Sequence, residues 1–237
     1  MIRVLLEPGS AAVGRRVGLL EGEANHLRVR RARDGDPVEL RDGKGLSGLG
    51  QLILAGKIWS VEVTAADRAA RPAELTLAVG SGDRDRFAWI VEKATELGVT
   101  SVIPLESART AGVASRLRTQ HVGRLQRHAL EAVKQSGAAW ATTVEAPLPL
   151  ADLVARAPTG HGWVADAAGA PPPAVVGEAS LTVVIGPEGG LTADELQLVH
   201  GAGYVPVCLG PHTLRFETAA IAAAAAATAA RLRGSHG

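Results

Sequence analysis

The sequence is short of the residues that mark secreted, membrane-spanning or aromatic-cored proteins. Its one cysteine, Cys208, excludes an intramolecular disulfide and suits a reducing cytoplasm. Aromatic residues make up 3% of the 237 positions, so the core must rest on aliphatic and small side chains. No apolar run approaches the ~20 residues that a membrane helix needs. The alanine-rich stretch from Ala219 to Ala230 is shorter than that and only weakly apolar, and it reads as a packing helix. Met1–Leu6 is too short for a secretory signal and runs into Glu7-Pro8-Gly9. These absences predict a cytoplasmic protein with no membrane contact.

Several chemical signatures are missing too. Gly80-Ser81-Gly82 follows a strand-like run, but Asp85 stands where a dinucleotide fingerprint needs its third glycine. There is no GxxxxGK[ST] phosphate loop and no GxSxG nucleophile elbow. His200, Cys208 and His212 lack the spacing of a zinc site, so no metal is expected. His26 reads as a core or capping histidine as readily as an RNA contact.

What is present begins with the charge distribution. The net charge is only +1, but it is uneven. Residues 1–70 hold 11 basic against 9 acidic side chains, 71–150 hold 10 against 8, and 151–237 hold 4 against 7. Between positions 109 and 134, Arg109, Arg116, Arg118, Arg124, Arg127 and Lys134 face only Glu131. Such a belt suits an extended anionic partner, or is simply a solvated helix face. Asn25–Arg33 adds Arg28, Arg30, Arg31 and Arg33.

The first 70 residues read as a small β unit, with apolar stretches at Val17–Leu20, Pro37–Leu40, Gly50–Ile53 and Ile58–Val63 separated by Gly/Asp turns. Strands so spaced usually close into a small barrel or sandwich. A linker is predicted over Ala65–Ala73. From Leu75 the pattern alternates: strands at Leu75–Val79, Val102–Leu105, Gly162–Ala165, Thr182–Ile185 and Val205–Leu209, and helices at Arg86–Leu97 and from about Thr119 to Ser136. Gly98 sits where a helix C-cap belongs, and Thr192 with Glu195 forms a capping box. This grammar predicts an α/β domain with a mostly parallel sheet covered on both faces.

Two segments carry the functional argument. LTVVIGPEGG (Leu181–Gly190) and VPVCLGPHTLRFETA (Val205–Ala219) are β-branched runs that each end at a Gly-Pro pair. Side by side in a parallel sheet, they place two backbone loops around the crevice beyond the strand ends, where open α/β sheets bind ligands. Glycine-rich loops let a ligand approach backbone N–H and C=O groups that can read an adenine edge. Glu188 adds a carboxylate at the first turn, and Arg215 with Glu217 an opposed pair at the second.

At these residues the chain resembles the RsmE family of 16S ribosomal RNA uridine-N3 methyltransferases, in the SPOUT class. The matching segments are EKATELGV (Glu92–Val99), VIPL (Val102–Leu105), EAVKQSG (Glu131–Gly137), VVIGPEGGLTADE (Val183–Glu195) and LGPHTLRFETA (Leu209–Ala219), with HLRVRRARDGDPVELRDGKG (His26–Gly45) resembling a PUA-like RNA-binding barrel. The chain departs from the usual pattern at Phe216, at Ala138 and Ala139, and at Ser107-Ala108-Arg109.

The resemblance implies a PUA-like β-barrel over 1–70 and a SPOUT domain with a deep trefoil knot over 74–237. It also implies a homodimer, acting on 16S rRNA or the assembled small ribosomal subunit with S-adenosylmethionine as methyl donor. The donor loops would be Ile185, Gly186, Pro187, Glu188, Gly189 and Gly190, then Leu209, Gly210, Pro211, Thr213, Leu214 and Arg215. Arg215 would stabilise the uracil anion with Glu217 orienting it, and Glu188 is the other polar group at the crevice. Arg28, Arg30, Arg31, Arg33, Lys93, Arg109, Arg116, Arg118, Lys134 and Gln135 would contact RNA. Two other readings stay open: another SPOUT enzyme acting on ribose 2′-O or tRNA, and a non-catalytic RNA-binding assembly factor.

Overall fold

The computed structural model describes residues 1–110, 117–156 and 158–234. Of the expected RNA contacts, Arg116 lies outside them. The chain divides into two compact units: residues 1–71 with 130–141, and 72–129 with 142–237.

The first unit is a five-stranded sheet in the order β1-β3-β4-β5-β2, with β1 at Ile2–Leu5, β2 at Arg16–Gly18, β3 at Pro37–Arg41, β4 at Leu46–Ala55 and β5 at Ile58–Arg68. β1 runs parallel to β3, and the other pairs are antiparallel. Along β4 the inward positions Leu46, Gly48, Gly50 and Leu52 alternate with Ser47, Leu49 and Gln51, the two-residue period of a half-buried strand. Val4, Leu27, Val38, Leu40, Leu52 and Val61 build its core without an aromatic centre.

Two features of this unit differ from the sequence-based expectation, and a third went unread. The linker expected from Ala65 begins later, because β5 runs to Arg68 paired with Leu46. A backbone ladder needs no buried side chains, so the pattern of residues 64–68 concealed it. The arginine stretch belongs in part to a short helix, α1 (Glu23–Val29), which ends before Arg31 at φ 54°. Residues 130–141, expected with the C-terminal domain, group with this first unit. Gly45 N–H donates to Ala139 C=O (2.9 Å), Ala141 N–H donates to Gly43 C=O (2.9 Å), and the Trp140 indole N–H donates to Ala70 C=O (3.1 Å).

The second unit is a parallel sheet in the order β12-β10-β11-β6-β7-β8. Its strands are β6 (Leu75–Gly80), β7 (Ser101–Glu106), β8 (Thr143–Val144), β10 (His161–Ala170), β11 (Leu181–Ile185) and β12 (Val205–Val207), with β9 (Leu148–Pro149) paired to β7. The central strands are continuous apolar runs, as strands buried on both faces must be. Helices α4 (Leu150–Ala155) and α5 (Ala193–Gly201) bury Leu150, Leu153 and Val199 against Ala78, Val164 and Val184. The alanine helix α6 (Phe216–Gly234) packs on β6, β11 and α2 (Arg84–Glu96), where Ala220, Ala223, Ala224 and Ala227 are fully buried. Helix α3 (Thr119–Ser136) belongs to the second unit up to Ala129 and to the first from Leu130.

Local signals hold at several boundaries. Asp83 caps α2 by accepting from Asp85 and Arg86 N–H (3.0 Å each). Gly98 is left-handed at φ 75°, and Thr192 and Glu195 make the reciprocal capping box of α5. β12 is shorter than expected: it ends at Val207, although Cys208 N–H still donates to Ala170 C=O of β10 (2.8 Å). Among the described residues, no helix is long and apolar enough to cross a membrane.

Candidate active site

The parallel register aligns the strand ends. Ile185 of β11 pairs with Val79, and Gly80 of β6 pairs with Leu105 of β7. On the other side Val184 is level with Val164 of β10, whose Ala165 is level with Val207 of β12. Five strands therefore release their loops along one edge. A pocket of about 300 Å³ opens there, and both Gly-Pro loops line it.

The first loop is a tight turn after β11. Gly190, at φ 70°, closes it by donating N–H to Pro187 C=O (2.7 Å). Side chains are excluded around it. A Cβ on Gly80 would stand 2.3 Å from the Pro187 nitrogen, and one on Gly82 2.4 Å from Glu188 Oε1. The Gly80-Ser81-Gly82 run thus makes room for Pro187 and Glu188, which is a different use from the nucleotide cradle its pattern half resembles. Asp83 N–H donates to Glu188 Oε1 at 3.4 Å.

Of the expected donor-loop residues, Ile185, Gly186, Pro187, Glu188, Gly189, Gly190, Leu209, Gly210, Thr213 and Leu214 line the pocket. Pro211 and Arg215 are exposed and do not line it. The pair expected between Arg215 and Glu217 is not formed. Glu217 Oε1 accepts instead from Arg86 Nη1 (3.0 Å), joining the first turns of α2 and α6, while its buried Oε2 has no partner among the described residues. Phe216, a departure from the family pattern, is buried and forms part of the pocket wall.

Other lining residues carry no signal in the sequence pattern. Ala165, Asp166 and Ala167 follow the buried part of β10, and only the sheet order brings them between the two loops. Cys208 and His212, weighed only as metal ligands, are loop residues at the same edge. Arg109 was expected to grip RNA. Its guanidinium donates to Gly189 C=O and lines the pocket.

The other expected RNA contacts separate into two groups. Arg28, Arg30, Arg31 and Arg33 are all exposed at and beyond the end of α1, where Arg28 donates to Asn25 Oδ1 (3.4 Å). Arg118 and Gln135 are exposed as well. Lys134 is not available: its side chain is 9% exposed, and its ammonium sits 2.8 Å from Glu23 Oε1 and 2.7 Å from Glu131 Oε2. Burial opposes its charge, but the two carboxylates win and its pKa is raised. The amphipathic pattern of α3 could not show that Glu23, more than a hundred residues earlier, would neutralise it. Lys93 is also engaged, 2.8 Å from both Glu92 and Glu96, whose hydrogen bonds raise its pKa.

Known proteins resemble this chain in sequence and fold. The RNA methyltransferase domain family model matches residues 69–228. The ribosomal RNA small subunit methyltransferase E of Aquifex aeolicus is 30% identical over 86% of this chain and 90% of its own, and that of Mycobacterium bovis is 31% identical over 82% and 79%. The crystal structure of the Neisseria gonorrhoeae ribosomal RNA small subunit methyltransferase E bound to S-adenosyl methionine superposes with a TM-score of 0.84 at 29% identity, covering 95% of this chain and 96% of that one. A Legionella pneumophila protein solved with bound SAM gives 0.80 at 25% identity, covering 94% and 95%. The edge crevice, its two Gly-Pro loops and these likenesses lead to one conclusion: the chain belongs to the ribosomal RNA small subunit methyltransferase E family of RNA methyltransferases.

Proposed function

We propose that the chain methylates N3 of a specific uridine in 16S ribosomal RNA, using S-adenosylmethionine as methyl donor. The carrying observation is the crevice at the strand ends, where two glycine-rich loops present backbone groups to one pocket. The residues fit the donor. Val207, Leu214 and Phe216 offer apolar walls, Asp166 and Glu188 face cationic groups with carboxylates, and the loop amides and carbonyls can read an adenine edge. The Neisseria relative, solved bound to S-adenosyl methionine, supports the same assignment. When bound, the donor supplies a methyl group already activated on a sulfonium.

The chain's own residues must then place the base and prepare it. Uracil N3 lies on the pairing edge, so the nucleotide is unpaired or flipped when it enters. N3 carries a proton and becomes a good nucleophile only when that proton is lost, so groups that favour the anion set the rate. Glu188 is the carboxylate of the first loop at this pocket. The exposed arginines around α1 supply a grip on phosphates of the rRNA or of the assembled small subunit.

The finer architecture belongs to the same proposal. Residues 1–70 are read as a PUA-like barrel: Leu20 N–H donates to Leu5 C=O (2.9 Å), drawing the chain after β2 to the end of β1, the opposite edge strand. Residues 74–237 are read as a knotted SPOUT domain. β12 is an edge strand, yet the helix that follows returns to the central β6 and β11, so 208–215 pass back over the sheet's end. A cytoplasmic homodimer completes the reading, with Ala222, Ala225 and Ala226 the short side chains of α6 left at least partly exposed for a helix contact.

Calorimetric titration of the intact protein with S-adenosylmethionine tests the donor assignment. Saturable binding that is lost when Gly189 is replaced by a bulky residue is expected. Absence of binding would favour a non-catalytic RNA-binding factor.

A further inference from the structure

Arg109 owes its position to a turn fixed on two sides. After β7, Ser107 N–H donates to Thr110 Oγ1 (2.8 Å) and the buried Thr110 hydroxyl donates back to Ser107 C=O (2.9 Å). Ala108 N–H donates to Glu195 Oε1 (2.7 Å), the carboxylate that also caps α5 through Thr192 N–H (2.8 Å). From this anchored turn the Arg109 side chain crosses the first glycine loop. A Cβ on Gly189 would stand 3.0 Å from Arg109 Cδ, so that glycine leaves room for the arginine.

Arg109 is held by a carbonyl rather than by a carboxylate among the described residues. Its partner is the neutral Gly189 carbonyl, and it makes no ion pair among the described residues. The other cations near this edge differ: Arg86 is neutralised by Glu217, and Arg215 does not line the pocket. A bare guanidinium beside a pocket for a cationic donor opposes donor binding by like-charge repulsion. Its placement there has a use when an anion forms in the same pocket. The planar fork of N–H donors matches a carbonyl oxygen that is gaining charge.

Resting on the uridine-N3 reading, we propose that Arg109 is a catalytic residue that stabilises the deprotonated uracil through O2 or O4. N3 gives its proton to water, and the electron pair left on N3 forms the new N–CH3 bond. The C–S bond breaks with its pair returning to sulfur, so the sulfonium becomes a neutral thioether. Arg109 holds the negative charge between the first event and the second. The other titratable groups of the pocket are Asp166 from the β10 loop, Glu188 from the β11 loop, and Cys208 and His212 from the β12 loop. They are common to the wild type and an Arg109 variant, so a difference between their pH profiles reports the missing guanidinium.

The test compares wild type, R109K and R109Q by initial methylation rate across pH and by calorimetric S-adenosylmethionine affinity. R109Q should lose about 10²-fold in kcat at neutral pH, the usual cost of one donor to a developing oxyanion. That deficit should narrow as pH rises and the uracil ionises unaided. Donor affinity should stay within about threefold of wild type or improve as repulsion is removed, and R109K should recover part of the rate. A deficit constant with pH overturns the proposal, as does an unchanged rate. A parallel loss of donor affinity overturns it too, and assigns Arg109 to the donor's carboxylate or to loop structure. A wild type that leaves N3 unmethylated overturns this proposal and the uridine-N3 reading together.

Discussion

Gly80 and Pro187 touch so closely that a single methyl group on Gly80 would lie 2.3 Å from the Pro187 nitrogen. The end of the central strand and the first Gly-Pro loop are therefore one packed unit. Gly80→Ala must push the Gly186–Gly190 turn away from the sheet. Overpacking of this kind costs about 1–3 kcal/mol. Thermal melts should show that loss, and calorimetry should show donor affinity falling at least about tenfold; unaltered affinity would contradict the packing argument.

A second prediction concerns the bridge between α2 and α6. Arg86 is half exposed, and a surface ion pair by itself contributes about 0–1 kcal/mol. Glu217 is largely buried and already has one oxygen without a partner among the described residues. Arg86→Ala would leave the whole carboxylate unpaired, at a cost of about 1–3 kcal/mol, whereas E217Q removes the charge and should cost less. Chemical denaturation of the two variants gives the order directly.

The Lys134–Glu23 pair predicts both a mutational and a pH effect. Lys134→Met strands a carboxylate that is 2% exposed, and breaking such a pair costs about 3–5 kcal/mol. The lysine pKa is raised in the fold above its usual 10.5. Its contribution is therefore complete below about pH 10.5 and is lost as pH climbs through the higher folded value. Denaturation midpoints of wild type and Lys134→Met should converge on that alkaline side and stay apart at neutral pH.

RNA binding should depend on the exposed arginines near α1 and little on Lys134 or Lys93. Replacing Arg28, Arg30, Arg31 and Arg33 together with alanine should flatten the slope of log affinity against log salt, by about one unit for each phosphate no longer neutralised. S-adenosylmethionine affinity should not change. A slope equal to wild type would place the RNA on another surface.

Much of this site could be read from local sequence because its loops are local objects. Thr182–Ile185 is a buried strand by its β-branched run, and Gly186-Pro187 can only turn after it. Thr192 and Glu195 announce the next helix with equal economy. The residues that stayed hidden depend on neighbours distant in sequence. Asp166 joins the pocket only because β10 is inserted between β11 and β12. Arg109 joins it because its anchored turn lies beside the first loop. Glu217 pairs with Arg86 rather than Arg215, and Lys134 with Glu23, partners that no helical or strand period connects. In the first unit, β5 continues to Arg68 through exposed residues, where hydrophobic patterning carries no signal.

Methylation of uracil at N3 in this crevice can be read from its product. The direct measurement gives the protein 16S rRNA and assembled small subunits with methyl-labelled S-adenosylmethionine, then digests the RNA to nucleosides for mass spectrometry. Label is expected in N3-methyluridine at one position, lost in R109Q at neutral pH and partly restored at higher pH. Label on a ribose 2′-oxygen, label in transfer RNA instead, or no label in wild-type reactions would contradict it.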